Sequence, residues 1–334
     1  MRTRLLVLGG TGFVGPAVID DAQARGWDVT VLNRGSRPTP PGVIALRGDR
    51  TVPGLSALDG GLWDVAVDTW SAAPTVVRDT AAHLVDRVGR YVYVSSRSVY
   101  RYPMPVGADE RFPVVAASPD DSDVDYSHAK AGGEAAAVTA FGGRALLARA
   151  GLILGPREDV GRLPWWLGRI ARGGPVLAPG PPDADIQFVD VRDLAAFVLD
   201  AAAEGRSGAY DLVCPVGHAT MRDVLEACVA VTGGAAELRW TAPDRIRAAG
   251  IEPWTDLPIW LPPGEQHDAL HGSDVSTALA AGLRCRPVTE TVADTWAWLQ
   301  RIGGHPPQRP DRPVLGLDPD VEARVLDADG RSSA

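Results

Sequence analysis

Two side chains that could exchange a proton lie four residues apart in the segment YSHAK, residues 126–130. If this segment is helical, Tyr126 and Lys130 share one face, because residues i and i+4 are neighbours on a helix. A tyrosine with its ordinary pKa of about 10 exchanges protons poorly at neutral pH, and a nearby ammonium is expected to lower that pKa. Lys130 is the only lysine among 33 lysines and arginines, and its compact ammonium suits a point-charge site that a planar guanidinium does not.

A possible partner for this pair is the serine doublet Ser95 and Ser96, which ends the apolar segment RYVYVSS. The segment is predicted to be a buried strand, and doubly wound sheets bind their ligands at the carboxyl ends of their strands. A hydroxyl there can donate a hydrogen bond to a substrate oxygen on which negative charge develops.

A glycine-rich turn near the N-terminus could bind a diphosphate. In RLLVLGGTGFVG, the glycines at positions 9, 12 and 15 follow a predicted strand and precede a predicted helix. Such glycines allow a tight turn, close approach of the backbone to a pyrophosphate, and close packing of helix on sheet. The alternative is a glycine-rich turn that binds nothing. The residues expected to contact a dinucleotide here are Gly9, Thr11, Gly12, Phe13, Val14 and Gly15.

The end of the second predicted strand, in VTVLNRGSRP, bears on which dinucleotide is bound. NAD-binding folds usually carry an acidic residue here, which binds the ribose 2′-hydroxyl. This chain has Asn33 and Arg34, with Arg37 close behind, and an arginine can receive a 2′-phosphate. We therefore expect NADP(H) to be preferred and NAD(H) to remain possible. The alternative is that the two arginines are solvated loop charges.

Alternating strands and helices predict the scaffold that positions these residues. Apolar runs at residues 4–8, 28–32, 43–47, 64–68, 90–95 and 144–149 are predicted strands, and the segments 14–26, 73–87 and 126–141 between them are predicted helices. Strands that are apolar throughout and alternate with helices are typical of a parallel sheet covered on both faces. The prediction is an α/β fold, a Rossmann-type doubly wound parallel sheet with a smaller C-terminal substrate lobe.

The composition of the chain changes beyond residue 150, which suggests a second lobe. Seven of the ten tryptophans lie from Trp165 onward, and prolines cluster in two segments. We expect a dinucleotide-binding domain over residues 1–150, with strand-helix additions from 186–203 and 209–233. The rest of 151–302 would form the substrate lobe, and 303–334 a tail with one short helix and little function.

Composition and charge exclude several classes of protein. The formal net charge is −9, which is unfavourable for a protein that tracks nucleic-acid phosphates. Three cysteines are far apart in sequence, which predicts neither disulfides nor a zinc site. The first apolar run is too short for a signal peptide, and no stretch has the length of a membrane span. We expect a cytoplasmic enzyme that acts on a small molecule, without nucleic-acid or membrane partners.

Five segments together resemble the extended short-chain dehydrogenase/reductase superfamily, and within it the NAD-dependent epimerase/dehydratase group. They are GGTGFVG, VYVSSRSVY, YSHAK, LLARAGLILGP and IQFVDVRDLA, in that order along residues 1–300. The resemblance implies that Ser96 is the catalytic serine, Tyr126 the acid/base and Lys130 its partner. It also implies that Asp49, with Arg50 beside it, lies near the adenine, and by analogy alone it suggests a homodimer.

Departures from the family pattern narrow the expected reaction. Sugar-nucleotide dehydratases of this group carry an Asp-Glu pair after the active-site hydroxyl residue, where this chain has Arg97 and Ser98. Without these carboxylates a dehydration lacks its acid and base. The basic end of the second strand favours net reduction of a carbonyl with NADPH. The alternatives are a sugar-nucleotide epimerase and a non-catalytic dinucleotide-sensing or RNA-associated scaffold.

Candidates for substrate contact are fewer. Arg97 follows the catalytic serine, and Trp165 and Trp166 could form an aromatic wall for a flat substrate or could equally be packing anchors. His267 and His271 have a spacing that could chelate a metal, but no third ligand is evident and we predict no metal site.

Overall fold

The computed structural model of the chain describes residues 2–35, 39–52, 55–306, 308–309 and 312–332. The strands are β1 (Arg4–Leu8), β2 (Asp28–Asn33), β3 (Ile44–Arg47), β4 (Trp63–Asp68), β5 (Val88–Ser96), β6 (Ala145–Ala150), β7 (Leu152–Leu154), β8 (Gly174–Pro179), β9 (Phe188–Asp190), β10 (Gly208–Leu212) and β11 (Ala236–Thr241). The helices are α1 (Val14–Ala24), α2 (Pro74–Leu84), α3 (Tyr126–Phe141), α4 (Arg162–Ala171), α5 (Val191–Ala203), α6 (Met221–Thr232), α7 (Pro243–Ala248), α8 (Glu265–His271), α9 (Ser276–Ala280), α10 (Val288–Arg301) and α11 (Pro319–Ser332).

Seven parallel strands form a central sheet in the spatial order β10-β6-β5-β4-β1-β2-β3. The chain runs from β1 outward through β2 and β3, and then returns to build β4, β5 and β6 on the other side of β1. The connections after β1 and β4 therefore diverge, which opens a crevice at the carboxyl edge of the sheet. The predicted doubly wound Rossmann-type fold is confirmed.

Helices cover both faces of this sheet, as the uniformly apolar strands predicted. Helices α1 and α5 pack against one face, where valines and alanines of the strands form one core. Helices α2 and α3 pack against the other face, where the core includes the stacked rings of Tyr91 and Phe141. With both faces covered, a ligand site is expected at the carboxyl edge of the sheet.

Helix α3 lies unusually close to β5 and α2. A Cβ added at Gly133 would lie 2.4 Å from the hydroxyl oxygen of Tyr93, and one at Gly132 would lie 2.6 Å from the carbonyl oxygen of Ser118. The helix begins at Tyr126, after Asp125, whose carboxylate accepts a hydrogen bond from the backbone N–H of His128. The two glycines thus fix the depth of α3, and the cap fixes where it starts.

The smaller lobe has its own core. Helices α4, α6 and α10 pack together with strand β8, around the fully buried indoles of Trp166 and Trp260. Two elements assigned from sequence to the dinucleotide-binding domain lie elsewhere: β9 pairs with β7 in a small two-stranded sheet, and α6 packs in the lobe. Their short apolar patterns match a sheet strand and its helix, but only long-range pairing decides which sheet they join.

The tail forms the helix α11, which includes the segment where one short helix was predicted. Its Glu322 is buried and accepts hydrogen bonds from Arg169 at 2.6 Å and from the backbone N–H of Leu177 at 3.0 Å. Leu317 and Val325 join the lobe core. The tail is therefore packed against the lobe. In the part of the chain that the structure describes, no helix is long and apolar enough to cross a membrane.

Candidate active site

Two adjoining cavities lie at the carboxyl edge of the sheet. The outer cavity has a volume of about 780 Å³ and is lined by residues that include Ser96, Ser98, Met104 and Trp254. The inner cavity has a volume of about 200 Å³ and is lined by the glycine-rich turn, Ser95 and Lys130. Four residues line both cavities and mark their junction: Tyr126, Gly151, Arg162 and Arg312.

Tyr126 is the first residue of α3, and its side chain is 38% exposed at this junction. One turn further along α3, Lys130 lines the inner cavity. The structure therefore brings the predicted acid/base and its predicted partner to one site. Ser96 reaches the same site from the end of β5 and lines the outer cavity with Tyr126.

Lys130 is only 3% exposed and is held by backbone carbonyls. Its Nζ donates to the carbonyl oxygens of Trp70 at 2.6 Å and Val94 at 2.7 Å, and it lies 4.8 Å from the ring centroid of Tyr93. Burial lowers the pKa of Lys130 to about 7, although the carboxylates of Asp68 and Glu134 oppose the shift. Burial therefore works against the charged form of Lys130.

The hydroxyl of Ser96 is engaged with the turn that follows β5. It accepts a hydrogen bond from the backbone N–H of Ser98 and donates to the Ser98 hydroxyl, both at 3.1 Å. The Ser98 side chain also lines the outer cavity. Two hydroxyls thus lie together where a substrate oxygen could accept a hydrogen bond, and the sequence pattern pointed only to the first.

A buried charged network lies beneath the serines. Arg149 at the end of β6 forms a bidentate pair with Glu134 of α3 at 2.8 and 2.9 Å, and Ser95 donates to the same carboxylate at 2.6 Å. Arg149 also donates to the hydroxyl of Tyr100, which donates to Asp211 at 2.6 Å. These bonds tie α3 to β5, β6 and β10, which fixes the positions of the hydroxyls above them.

The glycine-rich turn has the geometry that a dinucleotide requires. Gly9 has a φ of 93°, in the left-handed region that favours glycine. A Cβ at Gly15 would lie 2.6 Å from the Cα of Gly10, so α1 begins directly against β1, whereas a Cβ at Gly12 would meet nothing within 4 Å. Phe13 and Val14 line the inner cavity with these glycines, and Thr11 donates its backbone N–H to the carbonyl of Gly9. No side chain caps the start of α1 at Phe13, and uncapped backbone N–H groups at a helix N-terminus are the kind of donor that binds a diphosphate.

The end of β2 also fits the ribose of a dinucleotide. Asn33 accepts a hydrogen bond from the backbone N–H of Gly35 at 2.8 Å, while its own buried amide nitrogen has no hydrogen-bond partner. Arg34 is exposed beside it. Arg37 lies outside the described residues.

The two residues expected near the adenine behave differently. Asp49 accepts hydrogen bonds from the backbone N–H and the hydroxyl of Thr51, and remains partly exposed. The guanidinium of Arg50 instead points inward, where it pairs with the fully buried Asp68 at 2.6 and 2.7 Å and donates to Thr80. The contact of Arg50 with the cofactor stays a prediction, and the core already uses three of its donors.

Of the three residues predicted to contact the substrate, Arg97 lines a cavity and the two tryptophans do not. Arg97 lines the outer cavity, but its guanidinium donates to the carbonyls of Ala269 and Leu270 and to Ser273, and so ties β5 to the end of α8. Trp166 is fully buried and donates to the carbonyl of Pro258, and Trp165 packs edge-to-face against it. Neither tryptophan lines a cavity at the junction, so their contacts are those of packing anchors.

No group of three or more potential metal ligands occurs among the described residues. His271 accepts a hydrogen bond from the backbone N–H of Gln187, and burial lowers its pKa to about 3. His267 binds the carbonyl of Asp185.

Sequence reasoning missed three arginines that line the inner cavity. Arg162 begins α4 and, like Arg312 of the tail, lies at the junction, whereas Arg309 of the tail lines the inner cavity alone. The guanidinium of Arg312 lies 5.4 Å from the ring centroid of Tyr126. No local sequence pattern predicts this contact, because Tyr126 and Arg312 are far apart in the sequence.

One family model matches the middle of the chain. Residues 63–213 match the model of the NAD dependent epimerase/dehydratase family, and this range contains Ser96, Tyr126 and Lys130. This segment, a little under half of the chain, is therefore similar to that family. No curated protein sequence matches the chain.

Several solved structures share the fold of this chain. The Bordetella bronchiseptica enzyme WbmH, solved in complex with NAD+, has a TM-score of 0.66 at 18% identity, covering 91% of this chain and 100% of its own. UDP-N-acetylglucosamine 4-epimerase from Bacillus cereus has a TM-score of 0.66 at 16% identity, covering 89% and 99%. UDP-glucose 4-epimerase from Thermus thermophilus, in complex with NAD, has a TM-score of 0.61 at 22% identity, covering 89% and 99%. At these identities the comparison shows a shared fold and nothing more.

Proposed function

We propose that this protein catalyses reversible hydride transfer at a carbinol carbon of a small molecule, with epimerisation through the ketone as the net reaction. The observation that carries the proposal is the position of Tyr126, which lies at the junction of the glycine-turn cavity and the larger outer cavity. A proton donor at that junction can serve a carbon held between a cofactor and the outer cavity.

Each residue has a role that follows from its contacts. Tyr126, as the phenolate, takes the carbinol proton during oxidation, and as the phenol it returns that proton during reduction. Ser98 accepts a hydrogen bond from Ser96, and its own hydroxyl proton can be donated to the same substrate oxygen; Ser96 can donate there instead if its hydroxyl turns away from Ser98. Lys130 uses two donors on the carbonyls of Trp70 and Val94, and keeps its remaining hydrogen-bonding capacity for the ribose and Tyr126. A bound nicotinamide dinucleotide would supply and accept the hydride.

Epimerisation is favoured over dehydration by what surrounds the serine. The positions after Ser96 are held by Arg97 and Ser98, so no carboxylate stands there to remove a proton from a neighbouring carbon. Glu252 is the sole carboxylate among the described residues that line the outer cavity. Two of the solved relatives are 4-epimerases of UDP-sugars, a reaction that redox chemistry at one carbon can accomplish.

Net reduction of a carbonyl is the second candidate, and the end of β2 favours it. Asn33 and Arg34 replace the acidic residue typical of NAD sites, and NADPH commonly serves net reduction. We therefore also propose a preference for NADP(H), supported by the exposed Arg34, although WbmH and the Thermus thermophilus epimerase were solved with NAD.

Cofactor binding tests this preference directly. Titration of the protein with NADPH and with NADH should give tighter binding of NADPH, and Arg34→Gln should weaken NADPH by about tenfold while leaving NADH unchanged. Equal affinity for the two cofactors in both proteins would remove the preference without affecting the proposed hydride transfer.

Tyr126→Phe tests the proposed chemistry. We expect turnover to fall by about 100-fold or more, since a positioned acid/base contributes about 10²–10⁴-fold, with cofactor affinity within about twofold of the original. Near-normal turnover in this variant would contradict the role of Tyr126. Scoring product formation against NADPH consumption separates the two candidates: an epimerase forms product without net consumption, and a reductase consumes one cofactor per product.

A further inference from the structure

A buried ion pair lies beneath the inner cavity, between β4 and α2. Asp68, the last residue of β4, is fully buried, and its carboxylate accepts hydrogen bonds from the guanidinium of Arg50 at 2.6 and 2.7 Å. Arg50 also donates to Thr80 of α2 at 3.0 Å. Asp68 lines neither the inner nor the outer cavity, so any effect that it has on a reaction must pass through other residues.

The peptide groups of Trp70 join this ion pair to Lys130. The backbone N–H of Trp70 donates to Asp68 Oδ1 at 2.9 Å, and the carbonyl oxygen of the same residue accepts a hydrogen bond from Lys130 Nζ at 2.6 Å. The indole N–H of Trp70 donates to the carbonyl of Ala73 at 3.0 Å, and the guanidinium of Arg50 lies 5.5 Å from the indole ring centroid. Asp68 and Arg50 thus hold one side of the residue whose other side holds the lysine.

Ionisable groups from four parts of the structure surround Lys130: Asp68 of β4, Tyr93 of β5, Tyr126 and Glu134 of α3, and Arg309 and Arg312 of the tail. Burial lowers the pKa of Lys130, the carboxylates of Asp68 and Glu134 raise it, and the two tail arginines lower it. Of the two carboxylates, Asp68 has the larger effect. Its charge therefore works in favour of the ammonium form that burial disfavours.

Stability alone gives little reason for a charged pair at this position. Well-packed apolar residues often stabilise a core as much as a buried ion pair does, because both ions of the pair lose their hydration. The two oxygens of Asp68 accept four hydrogen bonds, two from Arg50 and one each from the Trp70 N–H and the Tyr91 hydroxyl. What apolar residues could not supply here is a negative charge near Lys130 and an acceptor for the Trp70 N–H.

We propose that Asp68, oriented by Arg50, is a positioning residue for Lys130. Through Trp70 it fixes the carbonyl oxygen to which the lysine donates, and its charge maintains the ammonium form of the lysine beside the inner cavity. The inference rests on the proposed function to the extent that it takes Lys130 to be the partner of Tyr126 in hydride transfer. The arrangement of Asp68, Trp70 and Lys130 itself does not depend on which reaction is catalysed.

The Cε signal of the single lysine in ¹³C-lysine-labelled protein tests this role without cofactor or substrate. Asp68→Asn keeps the shape of the side chain and removes its charge, so the titration midpoint of Lys130 should fall by about 1 pH unit. Because this variant leaves Arg50 buried without its charge partner, the neutral pair Arg50→Gln/Asp68→Asn is measured beside it. The neutral pair should also lower the midpoint, by a smaller amount, since the opposing charge of Arg50 is lost as well.

The matched control is Asp64→Asn, which removes a carboxylate from the same strand. Asp64 pairs with Arg4 at the amino end of β4, and its side chain is partly exposed. Its removal should leave the midpoint of Lys130 unchanged.

The pH profile of turnover then links the charge of Lys130 to the reaction. Lowering the lysine pKa should move the alkaline limb of kcat to lower pH by as much as the NMR midpoint moves, and acidification should restore the activity of the neutral pair. A merely structural defect would instead lower kcat at every pH.

The outcomes separate the positioning role from the proposed function. If the midpoints of the Asp68 variants equal those of the original protein and of Asp64→Asn, or lie above them, the positioning role is refuted, and Tyr126→Phe still decides the hydride transfer. If Asp68→Asn does not fold, the neutral pair decides alone. If the midpoint falls while the kcat profile stays in place, Asp68 positions Lys130, but the proposed part of the lysine charge in hydride transfer fails.

Discussion

Titration of Lys130 offers a direct test of how the inner cavity is built. Burial lowers its pKa from 10.5 to about 7, opposed by Asp68 and Glu134 and reinforced by the tail arginines Arg309 and Arg312. Because the chain contains a single lysine, protein labelled with ¹³C-lysine gives one Cε signal, and its midpoint reports this group alone. We expect a midpoint near pH 7 in the cofactor-free protein.

The shift also makes the stability of the protein depend on pH in a defined direction. Between the folded pKa of about 7 and the unfolded value of 10.5, the unfolded chain binds one more proton than the folded protein, so the free energy of unfolding rises with pH. The slope is about 1.4 kcal/mol per pH unit within this window and vanishes below it, where both states are protonated.

Lys130→Met is the matched control for this linkage. Methionine removes the titration, and the loss of donors to Trp70 and Val94 adds an offset that does not depend on pH. Urea unfolding should show the original protein gaining about 2.5 kcal/mol relative to the variant between pH 7.5 and 9.5. A difference that stays flat over this range, or an NMR midpoint above about 9.5, would refute the reasoning. Arg309→Gln should raise the midpoint, since it removes one of the charges that lower it.

Three further substitutions test other contacts. Lys130→Arg should abolish most turnover, because the larger guanidinium cannot occupy the Nζ position 2.6 and 2.7 Å from two carbonyl oxygens. The measurement is kcat, and a kcat close to the original would show that the site accommodates a guanidinium. Glu322→Gln should cost about 3 kcal/mol in urea unfolding by leaving buried Arg169 without its charge partner, and an unchanged midpoint contradicts that dependence. Asp68→Asn should destabilise the protein by a similar amount, since it removes the buried partner of Arg50; unaltered unfolding would show that Thr80 and Trp70 suffice.

The scaffold of the site could be predicted because its signals are local. The helix predicted over 126–141 is observed as Tyr126–Phe141, and the strand predicted over 4–8 as Arg4–Leu8. The strand predicted over 90–95 extends to Val88–Ser96. Continuous apolar runs for the strands, the period of 3.6 for the helices and a glycine turn decide these elements within a few neighbouring residues. Tyr126, Lys130 and Ser96 then meet because parallel strands and their helices place them at one edge.

The remainder of the site depends on contacts between distant segments. In the sequence, Arg50 looks like an ordinary loop residue. Its ion pair with Asp68 becomes evident only when β4 is placed beside β1 in the sheet. The packing of Trp165 against Gly316, where a Cβ would lie 1.8 Å from the indole nitrogen, likewise depends on where the tail runs. A tail without periodicity gave no indication that Arg312 would cover Tyr126. Such contacts are properties of the assembled fold and leave no pattern in the neighbouring sequence.

The glycines of α3 set a limit on how the protein can be made more robust. By intrinsic helix propensity, alanine at position 133 would be worth about 1 kcal/mol, and a consensus or directed-evolution scheme would select it. Because position 133 lies so close to Tyr93, alanine there should destabilise the protein instead. The helix would have to move outward and carry Tyr126 and Lys130 with it. Variants of this protein selected for thermal stability should therefore keep Gly133 and change at other positions. Gly133 lowers the stability of the helix but lets it lie close enough to β5 to position Tyr126 and Lys130.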